Sequence, residues 1–84
     1  MELYFVYGNK QKKKLVESDY ADDIYDVVLA FFEEHKVFPH ILRLEREGAD
    51  AIISMPNTAE CFCISNIDNE QYMELSGITE EYKY

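Results

Sequence analysis

The chain has 84 residues, 17 of them acidic and 8 basic, a formal charge of −9; that length makes one domain, and the negative field repels nucleic acid and anionic membrane. With 48% hydrophobic residues, among them 7 Tyr and 5 Phe, the composition excludes disorder and allows a core without staples. No apolar run reaches the length of a membrane span, and Met1 to Tyr7 lacks a basic stretch ahead of an apolar one, so a cytoplasmic protein is expected.

The first segment, Glu2-Leu3-Tyr4-Phe5-Val6-Tyr7, is aromatic and β-branched and ends at Gly8-Asn9. It predicts a strand with apolar side chains on both faces, of the kind that sits inside a sheet or has its second face covered. Lys10 to Lys14 holds four lysines and predicts a charged loop or hairpin tip, with Leu15 and Val16 extending it; its competing reading is a phosphate contact. Ser18 or Asp19 then suits the N-cap of a helix.

From Asp19 to about Lys36, Tyr20, Ile24, Val27, Val28, Phe31 and Phe32 recur at helical spacing, with His35 at their edge. They predict a long amphipathic helix whose opposite face carries Asp19, Asp22, Asp23, Asp26, Glu33 and Glu34. The early aspartates suit the positive end of the helix dipole and Lys36 the negative end. The helix is expected to stop before Pro39.

Ile41 to Arg46 alternates, with Leu42 and Leu44 on one face and Arg43 and Glu45 on the other, which predicts a half-buried strand. Turns at Glu47-Gly48-Ala49-Asp50 and Pro56-Asn57-Thr58 separate two more strands, 51–55 and 60–64, in an antiparallel meander. Asn66 or Asp68 can cap a short helix through Leu75, ended by Gly77; the residues after about 77 are expected to be loose unless their two tyrosines dock. The expected architecture is α+β in the order β-α-β-β-β-(α), one domain over 1–84, its mainly antiparallel sheet packed against one long helix. The tail helix would cover part of the second face. If that face stays open, Tyr4, Val6, Phe62 and Ile64 are the candidates for a dimer or partner surface.

The only metal-like set is Cys61, Cys63, His35 and His40. Thiolates and imidazoles suit zinc, but structural sites take their ligands from turns with wider spacing than Cys-x-Cys. On one strand Cys61 and Cys63 point to the same face with poor geometry for a mutual disulfide, and cysteine is among the most buried residue types. The expectation is therefore core cysteines, no metal and no cofactor. With no base near a cysteine in sequence, no phosphate-cradling glycine loop and no paired carboxylates, catalysis is not expected. The acidic strip is the remaining constellation. Its bland reading is a solvated face. Its functional reading is imitation of a nucleic-acid backbone, docking into the basic groove of a protein such as a nuclease.

The opening Tyr4-Phe5-Val6-Tyr7-Gly8-Asn9-Lys10, the turn leading to Leu15-Val16-Glu17-Ser18, the long helix, and Ile52-Ile53-Ser54 before Thr58-Ala59-Glu60-Cys61-Phe62 resemble small proteins of Gram-positive phages and other mobile elements. The resemblance covers roughly residues 2–65 and carries no catalytic motif, so it transfers no functional residue. It implies a stoichiometric inhibitor of a host defence nuclease, of the anti-CRISPR or anti-restriction type. The alternatives are a self-associating module that dimerises through its sheet and, behind it, a small zinc protein.

Overall fold

A strand with apolar residues on both faces belongs inside a sheet, and β1 (Glu2–Val6) lies inside one in the computed structural model, which describes residues 1–83. It lies between β2 (Lys12–Glu17) and β5 (Cys61–Ser65) in a five-stranded sheet of order β2-β1-β5-β4-β3. β3 is Arg43–Glu47 and β4 is Asp50–Ser54. Every pairing is antiparallel. Two helices, α1 (Ala21–His35) and α2 (Asn69–Glu81), complete the fold. The α+β class and antiparallel sheet follow the sequence reading; the element order is β-β-α-β-β-β-α, with two helices.

The extra strand is β2, where a charged loop or hairpin tip was expected. Only Lys10 lies in the turn, at φ 73°, after Gly8 and Asn9; the amide of Tyr7 donates to Gln11 O at 2.8 Å and that of Lys10 to Tyr7 O at 2.9 Å. That is a three-residue hairpin loop whose last residue takes the left-handed conformation. A bulge opposite Leu3/Tyr4 then leaves Leu15 without a Cα partner, so that Leu15 and Val16 both pack against the core. Lys12 and Lys14 share the opposite face with Val6 and Tyr4. Lysines on an edge strand also discourage pairing with another sheet.

α1 begins one residue later than Asp19 would place it. Tyr20 is the N-cap, in extended conformation, and stays 70% exposed instead of joining the apolar face. Ser18 works one step upstream: its hydroxyl accepts the Tyr20 amide at 3.1 Å and donates to Asp23 Oδ2 at 2.7 Å. At the far end Lys36 adopts φ 57°, its amide donating to Glu33 O while that of Val37 donates to Phe32 O at 3.0 Å. A left-handed residue with a Cβ is strained where glycine is not. Lys10→Gly and Lys36→Gly are each expected to stabilise the fold by about 0.5–1 kcal/mol. An unchanged or lower urea midpoint in both variants would contradict that strain.

α2 starts on a capping box. Asp68 accepts the Gln71 amide at 2.7 Å, and the Gln71 side chain accepts the Asp68 amide at 3.1 Å. Gly77 does not end the helix, which runs on to Glu81, because Leu75, Ile78 and Tyr82 have core to pack against. Tyr82 docks, its hydroxyl donating to Pro39 O at 2.7 Å; Tyr84, the other tail tyrosine, lies outside the described residues.

α2 packs beside α1 on the same face of the sheet, not over the second face. The Tyr25 hydroxyl bonds Thr79 Oγ1, and Phe32 meets Tyr82 across the pair. Leu3, Phe5, Phe62, Ile64, Ala51 and Ile53 point toward the helices. The Phe5↔Phe62 and Leu3↔Ile64 register moves Phe62 and Ile64 out of the expected second-face set and into the core. Arg46 ties the β3–β4 hairpin to α2, donating to Gly48 O, Asn69 Oδ1 and Ile67 O and lying over the Tyr72 ring.

Burial pushes the pKa of Tyr25 above 10.0, the Thr79 hydrogen bond partly opposing it. The unfolded chain ionises Tyr25 near its ordinary value and the folded chain later, so its share of stability is complete below about pH 10 and is lost as pH rises through the folded pKa. Tyr25→Phe is expected to flatten the loss of thermal stability between about pH 9.5 and pH 11. Its cost near neutrality is about 1 kcal/mol, for the lost hydrogen bond. Parallel alkaline slopes in the two proteins would refute the assignment.

Candidate functional site

A helix with one face in the core presents the other to solvent, and on α1 that outer face is acidic. Asp22, Asp26 and Glu33 follow one line along the helix, with Asp23 and Glu34 on its flank, all exposed. Leu29, 42% exposed, and Ala30 interrupt the strip. Of the six carboxylates expected on it, Asp19 is displaced: it precedes the helix, and its Oδ1 lies 3.9 Å from the Met1 amino group. Asp23 belongs partly to the Ser18 turn. Asp22, Asp26, Glu33 and Glu34 make no ion pair among the described residues. Glu33 and Glu34 also sit at the negative end of the helix dipole, where carboxylates destabilise.

Two hollows flank the C-terminal half of α1, on either side of Phe32 and Phe38. One, of about 520 Å³, lies against the acidic strip and is lined by Asp26, Leu29, Glu33 and Tyr82. The other, of about 360 Å³, lies between the last turn of α1, the end of β1 and the β4–β5 loop. Its walls are aromatic. Phe31 is held between Phe5, at 4.5 Å between ring centroids, and His35, stacked at 4.0 Å. Tyr7 meets Phe5 edge-on at 4.9 Å. Phe38 and the half-buried Glu60 complete the rim. Sequence reading missed this cavity, although the aromatic weight of the chain is its signal.

The metal-like set is not assembled. Cys61 and Cys63 share one face, as their spacing implies; it is the face away from the helices, where Cys63 is buried as expected and Cys61 is half-buried. His35 lies on α1, its Nδ1 3.0 Å from Phe31 O, and His40 in the following loop. Among the described residues no group of three or more His, Cys, Asp and Glu side chains is placed to hold a metal ion. Burial, with lesser effects of nearby charges, raises both thiol pKa values above 9.0, which keeps them protonated near neutral pH.

The sheet face away from the helices carries one row of Lys14, Tyr4, Cys63, Ile52 and Glu45, and beside it Lys12, Val6, Cys61, Ser54 and Arg43. Its centre is apolar and its two edges are charged. No described helix is long and apolar enough to cross a membrane.

Compared with known proteins, the chain matches no family model, no curated protein and no solved structure.

Proposed function

We propose that this is a non-enzymatic acidic binding protein whose α1 outer face docks into the basic groove of a protein that handles nucleic acid. In the mobile-element setting implied by the resemblance of residues 2–65, that target is a host defence nuclease, and the carboxylates stand in for phosphates. The observation that carries the reading is the uncompensated charge of Asp22, Asp26, Glu33 and Glu34, two of them at the helix end where they cost stability. A merely solvated face gains solubility from acids anywhere; it gains nothing from placing them against the dipole. The test is capture from host lysate on the immobilised protein, followed by elution with salt and, separately, with short duplex DNA. The expected result is a nucleic-acid-binding protein released by both. Retention through about 0.5 M salt, or indifference to DNA, would count against a charge-driven mimic.

A second reading has its own observation, the uncovered sheet face with Tyr4, Val6, Ile52 and Cys61 at its centre. Two such faces can stack into a sandwich, which would make the protein a self-associating module. Sedimentation across a wide concentration range decides it: a monomer throughout removes this reading.

A further inference from the structure

The aromatic cavity at the end of α1 is lined on one side by Glu60, a half-buried residue. Among the described residues Glu60 makes no ion pair, and its backbone amide donates to Thr58 Oγ1 at 3.2 Å. Among the described residues no lysine or arginine lines the cavity, and two of its aromatic residues, Tyr7 and Phe38, are 38% and 42% exposed. We propose that it receives an arginine side chain of the basic partner, the guanidinium lying against the rings and donating to Glu60. The proposal rests on the docking of α1 proposed above.

Three physical reasons favour this occupant. Aromatic faces attract cations, and the planar, weakly hydrated guanidinium stacks on rings where a compact ammonium holds its water. The fork of guanidinium donors matches a single carboxylate at the rim, which a purely apolar guest would leave desolvated and unpaired. Acidic groups lie close by: the last turn of α1, capped by Lys36, ends in the wall, and Asp26 and Glu33 line the hollow on the other side of Phe32 and Phe38. A partner reaching across the acidic strip therefore meets the cavity at the end of the same helix, where a buried anchor adds specificity to diffuse attraction.

The test separates the cavity from the strip. The full chain is titrated at constant ionic strength with arginine ethyl ester, and in parallel with the uncharged isostere citrulline ethyl ester, following resonances by NMR. The arginine ester is expected to bind in roughly the millimolar range, shifting Tyr7, Phe31, His35 and Glu60. Citrulline ester and the Glu60→Gln variant should each bind about fivefold more weakly. Equal binding of citrulline would make this a neutral apolar pocket, shifts confined to the α1 carboxylates would mean diffuse charge attraction, and no shift at about 0.1 M would leave the cavity without a cation preference; each outcome overturns the proposal. An Asp26→Lys/Glu33→Lys variant that still takes the arginine ester at the cavity shows that failure to capture a partner concerns the strip. Partner binding unchanged by Glu60→Gln and Tyr7→Leu would instead defeat the anchor and leave the docking of α1 standing.

Discussion

Replacing Phe62 with alanine is expected to lower stability by about 3–5 kcal/mol, the largest single loss in the molecule. Phe62 is fully buried at the middle of β5, and three rings surround it: Phe5 at 5.4 Å, Phe31 at 5.3 Å and Phe32 at 5.7 Å. Truncation removes transfer free energy, opens a cavity and forfeits the ring contacts, each worth something beyond area. For 84 residues the total stability is on the order of 4–13 kcal/mol, so the variant is expected to be partly unfolded at physiological temperature. A urea titration should show the midpoint falling by about 2–4 M at similar slope, or the transition vanishing. Phe62→Leu keeps most of the volume and should cost about 1–2 kcal/mol. Val6→Ala on the uncovered face should cost less than Phe62→Ala, because Val6 is only half-buried. A Phe62→Ala loss below about 1 kcal/mol would mean that β5 does not face the helices as described.

That prediction also shows what can be read from one strand and what cannot. Alternation tells which residues of β5 share a face, but both sets are apolar: Phe62 and Ile64 on one side, Cys61 and Cys63 on the other. Which set meets β1's Phe5 depends on the register between distant strands, and Phe62 lies across from Phe5, not from an even-numbered neighbour. The same limit hid the cavity, whose walls come from β1, α1, the α1–β3 loop and the β4–β5 loop. Local signals were legible where the period was long or the turn chemistry strict: α1 from its 3.6-residue repeat, and the β3–β4 hairpin from Gly48, which takes φ 61°. β2 was hidden because Lys12 to Lys14 has no alternation, and only the bulge explains how Leu15 and Val16 both turn inward. α2 was read short because glycine is a local stop signal, while burial of Leu75 and docking of Tyr82 are tertiary. The acidic strip survived in outline, less Asp19, because a helix converts sequence spacing directly into a face.

Reversing charge on that strip should move two observables in opposite directions. In Glu33→Lys and Glu34→Lys, a carboxylate near the negative end of the α1 dipole becomes a cation that suits it, which should raise stability by about 0.3–1 kcal/mol each. Asp26→Lys lies four residues from Asp22 and replaces a repulsive pair with an attractive one, a further few tenths of a kcal/mol. The fold should therefore tolerate the triple variant or melt later than the wild-type chain. Docking to a basic groove should respond the other way. Three reversals convert attraction into repulsion at closely apposed charges, and the affinity at low salt is expected to drop by at least about a hundredfold, chiefly through slower association. Salt should then separate the causes: the wild-type interaction weakens as ionic strength rises, whereas the variant's residual binding is flat or slightly improved. A solvated face predicts only the first change, a more stable protein with its interactions untouched. Greater stability together with lost binding would show that the strip retains its unfavourable charges for contact, and a variant that is more stable and binds normally would return α1's outer face to plain solvent exposure.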